Sequence, residues 1–217
     1  MQSSITNIVK ENRLLIFFIL MMVVFRTSLA DWNTVPTGSM KPTILEGDRI
    51  WVNKLAYDLN IPFTKTSIKK FADPKRNDII IFDSKIADKR LVKRVIGVPG
   101  DQISMVDNVI YLNNKPLKYK IIQENKDHII VEEKLATQTH KIRLERPVIN
   151  SIGQIFPNTI PKNSYLVLGD NRNNSADSRY IGLIPRAEII GRARYVVMSL
   201  NYENYYLPRF NRFMYKL

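Results

Sequence analysis

Residues 77–98 read NDIIIFDSKIADKRLVKRVIGV, two runs of strand length in succession. Residues 79–82 form an unbroken apolar run between turn residues, and 90–98 (RLVKRVIGV) follows as a second run of strand length. On an extended backbone, Leu91, Lys93 and Val95 share one face while Val92, Arg94 and Ile96 share the other. Outward from this stretch the pattern recurs. Residues 48–57 place Ile50, Val52 and Leu55 in near-alternation. Residues 102–112 end at the turn Asn113-Asn114-Lys115-Pro116, and further candidates lie at 121–123, 128–132, 142–144, 164–168 and 193–199. Short β-branched runs separated by Gly, Pro, Asn and Asp predict a mainly β, antiparallel protein. No long amphipathic helices alternate with the strands, so a parallel α/β sheet is not expected. Only 185–190 reads as a brief helix.

Four parts are expected along the chain: an N-terminal tail (1–13), an apolar anchor (14–30), a β domain (31–103 and 164–217) and an inserted β-ribbon subdomain (104–163). The insertion is rich in Lys, Glu and Asn. The end of the chain, 201–217, interleaves Tyr202, Tyr205, Tyr206, Phe210, Phe213 and Tyr215 with Arg209, Arg212 and Lys216. Its aromatics are expected to pack on the core, with the bilayer interface as the alternative.

The anchor reading rests on LLIFFILMMVVF, residues 14–25, followed after Arg26 by Thr27-Ser28-Leu29-Ala30. As a helix, 14–30 would span roughly 25 Å at about 1.5 Å per residue. That is short for a bilayer core of about 30 Å, but Arg26 can snorkel and Trp32 falls where aromatic belts lie. One N-terminal transmembrane helix is therefore expected. A cleaved signal peptide is the competing reading, because Lys10 and Arg13 precede the run and Ser28-Leu29-Ala30 is small-x-small. Arg26, so near that cut, argues for retention.

The 217 residues carry a net charge of +13 and no cysteine. Disulfides, thiol catalysis and zinc–thiolate sites are thereby excluded. The basic balance suits an anionic membrane surface or nucleic acid, and charge alone does not choose between them. Phosphate-binding loops are absent, and no closely spaced His, Asp and Glu suggest a metal. The two histidines, His128 and His140, sit amid Lys and Glu in the insertion and read as solvated.

Three polar clusters remain. The first, Pro36-Thr37-Gly38-Ser39-Met40-Lys41-Pro42-Thr43, holds a serine in a stiffened turn. In the second, Lys93-Arg94-Val95-Ile96-Gly97-Val98-Pro99-Gly100-Asp101, Lys93 lies between apolar neighbours. If that face is buried, desolvation lowers its pKa and makes a neutral amine available as a base. On an exposed strand it would be an ordinary lysine. The third, residues 169–179 (GDNRNNSADSR), follows the apolar run 164–168 and would otherwise read as a solvated loop.

Taken in order, an apolar anchor, Gly-Ser-Met-x-Pro-Thr, Lys-Arg-x-x-Gly-x-Pro-Gly-Asp and Gly-Asp-Asn-Arg-x-Asn-Ser-x-Asp-Ser-Arg resemble the bacterial type I signal peptidases. The piece Pro74-Lys75-Arg76-Asn77-Asp78-Ile79 resembles a further family box. The resemblance implies that Ser39 is the nucleophile and Lys93 its base, with Ser175 orienting the amine. The Ser39 N–H and the Thr37 hydroxyl would form the oxyanion hole. Asp177 with Arg179, and Asp170 with Arg94, would brace the pair. Val35, Pro36, Met40, Ile44, Leu91 and Val92 would line the substrate site, which accepts small side chains on an added β-strand. Departures from the family pattern are Thr37 for serine, Asn77 for glycine, Asn173 for aspartate and Ile181 for an aromatic.

The expectation is thus a monomeric, single-pass protein of the bacterial inner membrane with its catalytic domain on the outer side. It would remove signal peptides from exported preproteins after small-x-small sites, without cofactor or metal and without binding nucleic acid. A specialised Ser-Lys peptidase with few substrates is one alternative. A membrane-tethered basic binding protein without activity is the other.

Overall fold

The computed structural model describes residues 10–64, 66–106, 108–146 and 155–217. Most of the expected tail 1–13 therefore lies outside the described residues. Among those described, the strands in chain order are β1 (Ala30–Thr34), β2 (Asp48–Asn53), β3 (Asp58–Asn60), β4 (Ser67–Lys70), β5 (Ile79–Ser84), β6 (Lys89–Gly97), β7 (Gln102–Val106), β8 (Val109–Leu112) and β9 (Lys115–Pro116). There follow β10 (Lys118–Glu124), β11 (His128–Leu135), β12 (Gln138–Glu145), β13 (Ile155–Thr159), β14 (Ser164–Leu168), β15 (Ile184–Pro185), β16 (Ile189–Asn201), β17 (Leu207–Pro208) and β18 (Tyr215–Lys216). α-Helices α1 (Arg13–Val24) and α2 (Ser178–Ile181) accompany these strands.

The main sheet runs β1-β2-β16-β5-β6-β14-β15, with antiparallel pairing throughout. Strands β5 and β6 pair Ile80 with Lys93 and Phe82 with Leu91. Ile80, Phe82, Val95, Tyr165 and Val167 form one apolar cluster, against which Leu91 packs. Val35, Met40, Ile44, Ile50, Val52, Ile79 and Ile81 form another, joined by Val92. The two-residue period of the sequence thus sends alternate β5 and β6 side chains to opposite faces.

β6 and β14 are neighbours, so the described residues between Gly97 and Ser164 leave the main sheet and return to it. They contribute the antiparallel sheets β13-β7-β8-β9 and β10-β11-β12. Ile103, Met105, Ile110, Leu135 and Ile160 pack in one cluster with Ile96, Leu166 and Leu168 of the main sheet.

Three expectations are corrected. No helix among the described residues is long and apolar enough to cross a membrane. The α-helix stops at Val24 after twelve residues, a π-turn carries Phe25–Leu29, and Ala30 is already in β1. The Lys54 ammonium donates to the Arg26 and Thr27 carbonyls at 2.7 and 3.1 Å, closing the helical segment where its carbonyls lack partners. Residues 185–190 form β15, a 3-10 turn and the start of β16 rather than a helix, while α2 at Ser178–Ile181 is capped by the Asp177 carboxylate. The aromatics of 201–217 do not pack on the core: Tyr205 is 93% and Phe210 83% exposed. Arginines hold that segment instead. Arg212 donates to both Asp48 carboxylate oxygens and to the Thr43 carbonyl, and Arg209 to the Glu46 carbonyl.

The small-x-small sequence is also fixed in place. Ser28 and Ala30 are buried, and β1 pairs Ala30 with Asn53 and Asp31 with Val52.

Candidate active site

Strand β6 carries Lys93 into the interior, leaving it 2% exposed. Its Nζ lies 2.7 Å from Ser39 Oγ, across 54 positions of sequence. Burial drives the Lys93 pKa down to about 8; the carboxylates of Asp177 and Asp170 pull it back up without restoring the ordinary value. The amine is therefore substantially neutral at mildly alkaline pH, next to the one hydroxyl it touches.

Ser39 sits in the turn between β1 and β2, and the loop after β14 holds that turn from the side. The Asn171 N–H donates to the Ser39 carbonyl at 3.0 Å, and Asn171 Nδ2 to the Gly38 carbonyl at 3.1 Å. The Ser39 N–H takes no part in these bonds. The two segments approach so closely that a Cβ built on Gly169 would lie 2.5 Å from the Ser39 carbonyl oxygen and 2.2 Å from Ser175 Oγ. Only glycine fits there.

The loop is itself held by charge. Arg94 Nε and Nη2 donate to Asp170 Oδ1 and Oδ2 at 2.8 and 2.6 Å, a buried bidentate pair, and the Thr43 hydroxyl donates to the same carboxylate. Burial alone would raise the Asp170 pKa; the Arg94 guanidinium outweighs it and holds the carboxyl below its usual range. Arg94 Nη1 also donates to Asn77 Oδ1 at 2.9 Å. Asn77 has φ +73°, the left-handed conformation in which asparagine is the commonest substitute for glycine. Its side chain adds an acceptor that glycine would lack. Asp177 receives Arg179 through both oxygens at 2.8 Å, and the Gly169 N–H at 3.0 Å. Asn173 Oδ1 accepts the Glu145 N–H at 3.0 Å, a task an aspartate oxygen could also perform. Ile181 is buried in the cluster of Val95 and Tyr165.

Other expected residues make no hydrogen bond to the Lys93 amine among the described residues. Ser175 is not bonded to Lys93; its hydroxyl is buried, has no hydrogen-bond partner among the described residues, and the amine bonds Ser39 instead. Thr37 and Pro36 are exposed on the turn. Val35, Met40, Ile44 and Val92 gather beneath the nucleophile turn, whereas Leu91 packs on the opposite face of the sheet with Phe82 and Val95. The expected lining thus divides between two faces, as the alternation of β6 requires.

The sequence reading missed Asn171, whose place between Asp170 and Arg172 gave no sign that it would bond the nucleophile turn. It also placed His140 in solvent. That residue is 8% exposed, with Nε2 3.2 Å from Glu133 Oε1, and the Arg172 guanidinium donates to the same oxygen at 2.6 Å. No hydrogen bond joins either histidine to Ser39 among the described residues, and no His, Asp and Glu set there is arranged to hold a metal.

A family model described as signal peptidase, peptidase S26, matches residues 6–198. The chain is 34% identical over 197 residues to a signal peptidase I from Pseudomonas aeruginosa, covering 82% of this chain and 68% of that one. It is 31% identical over 210 residues to one from Pseudomonas fluorescens, covering 88% and 73%. Against one from Rickettsia typhi the identity is 34% over 206 residues, covering 84% and 77%.

Proposed function

Because this chain belongs to the signal peptidase family, peptidase S26, we propose that Ser39 and Lys93 are its reactive pair and that it cuts after small-x-small sequences. Membership makes it a serine endopeptidase, a hydrolase that removes signal peptides from preproteins. The observation carrying the assignment of the pair is the 2.7 Å approach of a buried, pKa-lowered amine to a serine hydroxyl.

The neutral amine takes the Ser39 proton as Oγ attacks the scissile carbonyl carbon. Negative charge on the carbonyl oxygen is met by the Ser39 N–H and the Thr37 hydroxyl. Lys93 then returns the proton to the leaving amine, and the same amine activates the water that releases the acyl group. Ser175 would accept a hydrogen bond from the ammonium once Oγ is acylated, a reading supported by its buried hydroxyl, which has no partner among the described residues. Asp170 with Arg94, and Asp177 with Arg179, hold the walls. β1 lies at the end of the sheet and runs directly into Val35–Ser39, so an extended substrate can pair beside the nucleophile. The cluster of Val35, Met40, Ile44 and Val92 would supply the apolar wall that the small side chains meet.

The protein works at the bacterial inner membrane, its β domain on the outer face. What supports this is α1, apolar and exposed along its whole length, and the neighbouring aromatic row of Trp32, Trp51 and Tyr195 across β1, β2 and β16.

The test is cleavage of a preprotein bearing an Ala-x-Ala site by the detergent-solubilised chain, beside Lys93→Ala and His128→Ala. Cleavage is expected to vanish with the first and survive the second. Since the base is the unprotonated amine, kcat/KM should rise with pH through about 8, following the lowered Lys93 pKa. Retained activity in Lys93→Ala, or a rise centred on histidine titration, would overturn the pair.

A further inference from the structure

We propose that Glu133, on β11, is a positioning residue for the reaction: through Arg172 it holds residues 169–177 against the nucleophile turn. The proposal rests on the Ser39–Lys93 reading of the site.

Glu133 is fully buried in a hairpin that sequence marks only as polar. Its cross-strand partner on β12 is His140, whose Nε2 lies 3.2 Å from Glu133 Oε1. Arg172 Nη2 donates to the same oxygen at 2.6 Å. Burial would raise the Glu133 pKa, but Arg172 and His140 overcome it and leave the carboxyl at about 2. The carboxylate is therefore charged at any working pH, and it draws the guanidinium into the interior.

From Arg172 the connections lead both ways. Its N–H donates to the Arg143 carbonyl at 3.0 Å, and the Arg143 N–H to the Asp170 carbonyl at 2.7 Å, so β12 flanks the loop as a parallel bridge centred on Asn171. The Arg172 carbonyl accepts Arg179 Nη2 at 2.6 Å, which links it to the Asp177 carboxylate. Between these ties stands Asn171, the residue that bonds the Ser39 and Gly38 carbonyls. The hairpin thus grips one side of a loop whose other side grips the nucleophile. A buried ion pair is a poor source of stability, since apolar residues of similar volume serve as well. What this pair supplies is the location of Asn171, and a displacement near 1 Å at a reacting group can cost about a hundredfold in rate.

The experiment compares the full chain with Glu133→Gln, Glu133→Asp and Val131→Ala, the last a buried apolar residue on the same strand with no charge to pair with Arg172. Two quantities are read well below each variant's Tm: kcat and KM on an Ala-x-Ala preprotein, and hydrogen exchange at the Asn171 and Gly169 amides. Glu133→Gln should lower kcat by about 10- to 100-fold with KM changed less than about twofold. The Asn171 amide should exchange at least about tenfold faster. Loosening also hydrates Lys93, which faces Asp177, Asp170, Lys89 and Arg179, so the pH midpoint of activity should move upward. Glu133→Asp should recover part of kcat. Val131→Ala should lower Tm yet keep kcat and the midpoint. A Glu133→Gln variant that keeps kcat within about twofold, or leaves Asn171 exchange unchanged, would overturn the proposal. If the unmutated chain does not cleave, or Lys93→Ala does, the Ser39–Lys93 reading falls instead, and Asn171 exchange alone decides whether Glu133 holds the loop.

Discussion

Lys93 and Asp170 close the same buried site from two sides, and unlike forces hold the two sides in place. The β6 side is set by apolar packing: Ile80, Phe82, Val95 and Val167 belong to one buried cluster, and the ladder to β5, which pairs Lys93 with Ile80, fixes its register. The loop side, 169–179, has little apolar packing of its own. It is fixed by Arg94–Asp170, Arg172–Glu133 and Arg179–Asp177, all essentially out of solvent. An apolar wall that loses a methyl group relaxes around a small void. A charged wall that loses one partner strands the other where water cannot reach it. One side should therefore yield gradually to substitution, the other abruptly.

Four measurements would break or sharpen this contrast. Asp170→Ala leaves the Arg94 guanidinium buried without its carboxylate and should destabilise the fold by about 3–5 kcal/mol in denaturant unfolding. Replacing both as Arg94→Met with Asp170→Leu should recover most of that loss, and a double-mutant cycle would measure the coupling.

Lys93→Met should act in the opposite direction. The lysine pKa falls from an ordinary 10.5 to about 8 on folding, which at about 1.4 kcal/mol per unit is on the order of 3 kcal/mol. The sign follows from which form the fold disfavours. The protonated amine is the unfavourable one, so the penalty is full below about pH 8, shrinks between 8 and 10.5, and is gone above. Lys93→Met should thus be inactive yet more stable at neutral pH, with the gain in Tm fading as pH rises toward 10.5. A variant less stable than the parent at pH 7 would mean that the amine is hydrated.

On the apolar wall, Ile80→Val should cost about 0.5–1.5 kcal/mol and leave kcat nearly intact. The smallest effect belongs to the exposed pair Arg26–Asp31 at 3.0 Å, where Arg26→Gln should change stability by less than about 1 kcal/mol.

The same contrast explains what sequence could and could not reveal. Strand positions were legible because burial imprints a period of two on the chain: Leu91, Lys93 and Val95 do share a face, and 79–82 is a central strand. The 2.7 Å approach of Lys93 to Ser39 was not legible from spacing, since 54 positions separate them. Only the ordered set of polar clusters pointed to the pair. Asn171, Glu133 and His140 left no signal at all. An ion pair buried between distant segments looks, in either segment alone, like an ordinary solvated charge. For the same reason 201–217 was misjudged: its aromatics drew notice, whereas Arg209 and Arg212 make its attachments.

Burial of Ser28 and Ala30, with the peptide between Ala30 and Asp31 locked into β1, also bears on how an enzyme of the proposed specificity would survive itself. A small-x-small sequence is a substrate only while its small side chains are free to enter a foreign pocket and its backbone is free to pair elsewhere. In an unfolded chain both conditions would hold at Ser28-Leu29-Ala30; with β1 docked on β2, neither does. Under the proposed specificity, self-recognition would be settled by timing, with the closing of one strand pair separating the enzyme from its own prey.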